Sequence, residues 1–133
     1  MMRLTIRVDF PSGGAFGPGK ARLLELIDEL QSIRRAAAAM EMSYRQAWLL
    51  VQGTEEIFGG PIIETAIGGS HGGGSKLTAL GRELVARYRA IETRAAKAAG
   101  PELAALEKLA AGDHASSQRR RSLRGRKGRP AAK

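Results

Sequence analysis

The chain has 133 residues, a formal net charge of +9 and no cysteine. That length suits one domain with an appendage, and the missing thiols exclude disulfides and thiolate metal sites and fit a reducing cytoplasm. No stretch approaches the ~20 apolar residues that span a bilayer, and the opening MMRLTIRVDFPSGG alternates where a signal peptide would run apolar; a cytoplasmic, nucleoid-associated protein is expected.

The charge is unevenly spread. Residues 1–112 hold 14 Lys/Arg against 12 Asp/Glu, whereas residues 113–133 hold 8 against 1. A nearly neutral body therefore carries a strongly basic tail, and such a tail points to a polyanionic partner. No periodic apolar residue follows Gly112, so 113–133 is expected to be disordered in the free protein.

In chain order, Leu4, Ile6, Val8 and Phe10 alternate with Arg3, Thr5, Arg7 and Asp9, the pattern of a half-buried strand. Pro11 to Gly14 and Gly17-Pro18-Gly19 read as loop. Leu23, Leu24, Leu26, Ile27 and Leu30 then line one side of a helix from about Pro18 to Gln31, with Pro18 in its first turn. Ser32 is placed to cap a second, alanine-rich helix, Ile33 to Met40. Its small side chains allow another helix to cross at short range. Ser43 caps a third helix running to about Phe58, with Ala47, Leu50, Val51 and Thr54 inward and Arg45, Gln46, Leu49 and Gln52 outward.

Two helices joined at Glu41 by a tight turn form a helix-turn-helix pattern, which lays its second helix in the DNA major groove. Most such turns carry Gly where this chain has Glu41, at a cost of roughly 1 kcal/mol if the residue takes positive φ. Gly59-Gly60-Pro61 stops the third helix. Ile62 to Thr65 and Lys76 to Thr78 can pair as a hairpin around a glycine-rich turn, Ala66 to Ser75. Thr78 then caps a long helix in which Leu80, Leu84, Val85, Tyr88, Ile91 and Ala95 recur at helical spacing. Gly100-Pro101 interrupts it, and Leu103, Leu106 and Leu109 extend the stripe to about Ala111. The stripe exceeds what a small domain buries and reads as a homodimer seam, over about 79–111, rather than as packing on the chain's own core. The resulting class is mainly α with a small β wing: a winged helix-turn-helix over 1–112 with a long C-terminal dimerisation helix.

Within that frame Arg45 is the first candidate for a base edge, because Arg reads guanine bidentately; Gln46 suits adenine and Leu49 a thymine methyl. Ser43, Tyr44 and Lys76 are candidates for phosphates, and Gly72, Gly73 and Gly74 let the wing backbone approach the same strand. Trp48 reads as a packing residue. The segment Gly69 to Lys76 falls short of a phosphate-binding P-loop, since Ser and Lys are reversed and Leu77 follows. His71 and His114 lack the carboxylate or cysteine company of a metal site. No catalytic set stands in a convincing context, so neither an enzyme nor a cofactor is expected. In the tail, Arg126-Lys127-Gly128-Arg129-Pro130 contains an AT-hook-like core for the A·T minor groove; the alternative is a flexible polycation that binds through counterion release.

Three separated segments resemble one family in the right order. Ser43-Tyr44-Arg45-Gln46-Ala47-Trp48 resembles the start of the recognition helix of ModE-type molybdate-dependent transcription regulators. Gly59-Gly60-Pro61-Ile62-Ile63-Glu64-Thr65-Ala66 resembles their second strand, and the stretch from Ala66 to Thr78 resembles their glycine-rich wing. LysR-type regulators share a related head with a less glycine-rich wing. The resemblance covers about residues 18–95 and implies a dimeric winged-helix domain that binds double-stranded DNA. Ser70-His71 replaces the family's wing lysine. The family's C-terminal molybdate-binding domain has no counterpart in the ~20 residues after the last helix, so no molybdate binding is expected in this chain. An architectural protein binding A·T-rich DNA with little sequence choice is the alternative function, and a protein-interaction module is a third.

Overall fold

The computed structural model describes residues 2–66 and 74–112. In chain order the elements are β1 (Val8–Asp9), β2 (Ala15–Phe16), α1 (Pro18–Leu30), α2 (Ile33–Ala39), α3 (Tyr44–Phe58), β3 (Ile63–Ala66), β4 (Gly74–Leu77), α4 (Ala79–Ala98) and α5 (Gly100–Ala111). The protein is mainly helical, with two small antiparallel sheets, β1–β2 and β3–β4. The described residues divide into two compact units, one of residues 4–93, the other of 2–3 with 94–112.

In the first unit, α1 supplies the largest share of the core. Ala21, Leu23, Leu24, Leu26 and Ile27 are all buried, as the 3.6-residue period of its apolar side requires. Ile33, Ala36 and Ala37 of α2 and Ala47, Val51 and Thr54 of α3 are buried in the same core. Alanine at 36, 37 and 47, each 0–1 % exposed, lets these helices approach closely. The Thr54 hydroxyl is the polar exception, and it donates to the Leu50 carbonyl at 2.8 Å. Ile62, Leu77, Tyr88 and Phe16 complete the core.

The caps act where the residue types called for them. Ser32 Oγ accepts from the Arg35 amide at 3.0 Å, and Ser43 Oγ accepts from the Gln46 amide at 3.0 Å. Thr78 Oγ1 accepts from the Gly81 amide at 3.1 Å while donating to the Pro61 carbonyl at 2.7 Å, so one side chain both starts α4 and ties it to the preceding loop. Between α2 and α3, Glu41 has φ +56°. The Met42 amide returns to the Ala37 carbonyl and the Glu41 amide to the Ala38 carbonyl, both at 3.0 Å. These two bonds make a Schellman ending with Glu41 in the left-handed position normally given to glycine.

The N-terminal strand is shorter than its alternation suggests. Only Val8 and Asp9 pair, with Phe16 and Ala15 respectively, because their partner is a two-residue strand. The Ile6 carbonyl instead accepts the Tyr88 hydroxyl at 2.6 Å. β2 itself lies between the two segments read as loop, and Phe16 within it is buried with its ring edge-on to Tyr88 at 5.3 Å. The second sheet pairs Ile63 with Leu77, Glu64 with Lys76, Thr65 with Ser75 and Ala66 with Gly74. Three bonds fasten it: Ser75 amide to Gln31 carbonyl at 3.0 Å, Thr78 amide to Ile62 carbonyl at 2.8 Å and Leu77 amide to Asp28 Oδ1 at 3.0 Å.

The long C-terminal helix is two helices, α4 and α5, separated at Ala99. Gly81 and Tyr88 are buried, and Leu80, Leu84 and Val85 pack against the core. That part of the stripe therefore belongs to the chain's own interior. Ile91, at 44 %, is exposed. In the second unit α5 buries none of its residues, and Leu106 and Leu109 are 56 % and 46 % exposed. No described helix is long and apolar enough to cross a membrane.

Candidate nucleic-acid interface

The outward side of α3 is set by what its inward side must bury. With Ala47, Val51 and Thr54 inside, helical geometry puts Arg45, Gln46, Leu49 and Gln52 outside, and all four are exposed. Leu49 is 54 % exposed, an apolar side chain in water beside two polar ones. Arg45 makes no ion pair among the described residues, so its guanidinium fork is available to an acceptor.

Ser43 lies at the start of the same helix with its oxygen engaged by the Gln46 amide, which leaves its O–H as a donor. Tyr44 is 41 % exposed and packs edge-on against Trp48, ring centres 6.3 Å apart. Trp48 is half-buried and packed on the core, as a helix-packing residue should be. Over the Tyr44 ring lies Arg34 of α2, its guanidinium carbon 4.5 Å from the ring centre. A contact of this kind at an exposed site contributes ~0.5–1 kcal/mol. Arg34 was not singled out from the sequence. Its relation to Tyr44 depends on how α2 and α3 cross, which residue type and spacing do not encode.

Lys76 projects from β4, half-exposed, and sits 3.8 Å from Glu64 on the paired strand. This pair partly offsets the lysine's charge. Gly74 stands at the start of β4. Gly72 and Gly73, His71, and the tail residues Arg126, Lys127, Gly128, Arg129 and Pro130 lie outside the described residues. Arg34, Tyr44, Trp48, Thr65 and Ser75 line an open groove of about 210 Å³ that joins α2, the first turn of α3 and the β3–β4 ladder.

Ion pairing elsewhere is concentrated on α1 and α4. Arg89 forks onto Glu25 through Nε at 3.0 Å and an Nη at 2.9 Å, and reaches Glu92 at 2.7 Å. The Arg89 guanidinium holds the Glu25 carboxyl below the usual carboxylate range, against the opposing effect of burial. Burial pushes the Tyr88 phenol up. Among the described residues no group of three His, Cys, Asp or Glu side chains is arranged to hold a metal ion.

The arrangement defines a class: a helical unit that displays one short-turn helix with an outward arginine, glutamine and leucine, flanked by a two-stranded ladder. No protein-family model matches the chain. Curated proteins do. The chain is 35 % identical over 112 residues, 84 % of its length, to the molybdenum transport protein ModE of Azotobacter vinelandii, of which it covers 42 %. It is 38 % identical over 86 residues, 65 % of its length, to the molybdenum-pterin-binding protein MopB of Rhodobacter capsulatus, covering 32 % of it. It is 35 % identical over 75 residues, 56 % of its length, to the transcriptional regulator ModE of Haemophilus influenzae, covering 29 % of it. The chain thus spans less than half the length of these relatives.

Proposed function

We propose that the chain is a sequence-specific DNA-binding transcription regulator of the ModE type, built as a winged helix-turn-helix and acting as a homodimer. The observation that carries this reading is the outward side of α3. Arg45, Gln46 and Leu49 stand exposed together on a helix whose opposite side is locked into the core by Ala47, Val51 and Thr54. In the proposed complex α3 enters the major groove, with Arg45 on guanine, Gln46 on adenine and Leu49 against a thymine methyl. Ser43, Tyr44 and Lys76 hold phosphates, with Gly72, Gly73 and Gly74 bringing the wing backbone to the same strand. The tail residues 126–130 contact flanking A·T minor groove. A relative named as a transcriptional regulator supports the regulatory role.

The test is binding-site selection from random duplexes, followed by titration of the selected and a scrambled duplex. A defined motif is expected. Arg45→Ala should lower the selected-to-scrambled ratio by tenfold or more, since one bidentate base contact is worth about 1–3 kcal/mol. An unchanged ratio would remove Arg45 from the base contacts. The second reading, an architectural protein of A·T-rich DNA, is favoured by one observation, the 8 basic residues against 1 acidic over 113–133. Selection that returned A·T content without a motif would establish it instead.

A further inference from the structure

We propose that the groove between α2, the first turn of α3 and the β3–β4 ladder is a binding site for one backbone phosphodiester, and that Arg34 supplies its charge. The inference rests on the DNA-binding reading above and adds a residue that reading does not contain. Arg34 is the one charged side chain among the described residues lining the groove, and none of those residues is a carboxylate. The guanidinium is not left to swing freely. It lies over the Tyr44 ring at 4.5 Å, Tyr44 packs edge-on to Trp48 at 6.3 Å, and Trp48 packs on the core. Two rings thus connect an exposed cation to the interior, so its fork is partly ordered before any ligand arrives.

The other walls suit the same ligand. Ser32, whose oxygen is taken by the Arg35 amide, keeps its O–H as a donor, and two further hydroxyl residues, Thr65 and Ser75, line the groove. Its width is held by the Ser75 amide bonded to the Gln31 carbonyl at 3.0 Å. A planar guanidinium with hydroxyl donors around it matches a tetrahedral phosphate. Its place between the first turn of α3 and the ladder puts that phosphate next to whatever α3 reads. Lys76 is a poorer candidate for this charge because Glu64 stands 3.8 Å from it. Beside the phosphate role of its hydroxyl, Tyr44 thus serves by its ring, as the platform under Arg34.

The experiment is titration of the full chain against the selected and the scrambled duplex over a series of salt concentrations, with Arg34→Ala, Arg34→Lys and Tyr44→Phe. Arg34→Ala should weaken binding to both duplexes by the same factor and reduce the slope of log affinity on log salt by about one. Arg45→Ala should instead change the ratio between duplexes. Arg34→Lys should keep the slope but bind more weakly, having charge without the fork. Tyr44→Phe, which keeps the ring and loses only the hydroxyl, should lose less affinity than Arg34→Ala and keep the wild-type slope. A wild-type slope on both duplexes for Arg34→Ala overturns the site, and a loss in Tyr44→Phe equal to that in Arg34→Ala overturns the platform. If the wild-type chain itself binds no duplex at low salt, the DNA-binding reading fails and this site fails with it.

Discussion

Glu41 carries a positive φ in the turn that sets the crossing of α2 and α3. Its Schellman bonds satisfy the last carbonyls of α2, and glutamate offers nothing there that glycine would not, apart from a Cβ in an unfavourable position. Glu41→Gly should therefore stabilise the fold by up to ~1 kcal/mol, less the extra backbone entropy of glycine, and leave DNA affinity unchanged; a thermal melt checks the first and titration the second. The Glu25–Arg89 fork gives the residue scale its pH dependence. The carboxyl is held below its unfolded value, so the fork's contribution is fully present above ~4.3 and is lost as pH falls through the lower folded value. Replacing Glu25 by Gln should destabilise the chain at neutral pH and flatten the acid limb of the unfolding profile. An acid limb identical to wild type would show that the fork contributes nothing. Neither partner of the fork was legible in the sequence, where Glu25 and Arg89 lie 64 residues apart and each looks like one more charge on a helix surface.

At the scale of elements, legibility followed from whether an element's identity is local. The helices α1, α2 and α3 declare themselves by apolar spacing and by Ser32 and Ser43, because helical hydrogen bonds and caps close within a few residues. The outward set of α3 was readable for the same reason. The first strand was readable only in its place, not in its length or partner, since alternation fixes which side is apolar but not whether a partner exists, and β2 is two residues inside a glycine-rich loop. Gly81 shows a constraint of the same non-local kind. A glycine inside α4 ordinarily costs ~1 kcal/mol relative to alanine. Here a Cβ would lie 2.6 Å from the Ile62 carbonyl oxygen and 2.9 Å from Ile62 Cγ2. The oxygen is backbone, and it already accepts the Thr78 amide, so it cannot yield without loosening the ladder from α4. Gly81→Ala should thus reverse the usual sign and destabilise by ~1–3 kcal/mol, lowering the melting temperature. A rise in melting temperature would mean that helix propensity outweighs the clash.

At the scale of the whole molecule the unspent features are the basic tail and the apolar residues of α5. Removing residues 113–133 takes away a net +7, which should flatten the salt dependence for specific and random DNA alike. The case for self-association is separate. α5 has 12 residues and none is buried, and a helix of that length without a buried side is marginal in water. Leu103, Leu106 and Leu109 recur at three-residue spacing, and the last two are exposed, so the helix holds apolar area that a second copy would cover. Replacing Leu106 and Leu109 together by Glu should leave the 4–93 unit folded, because neither residue is part of its core. Sedimentation should then show a dimeric mass for the wild type and a monomeric one for the double variant. On DNA the variant should keep its affinity for a single half-site and lose its advantage on two half-sites one helical turn apart, the spacing that a two-fold dimer selects. Equal masses at micromolar concentration would instead assign this surface to a different partner, and the chain would have to bind DNA as single copies.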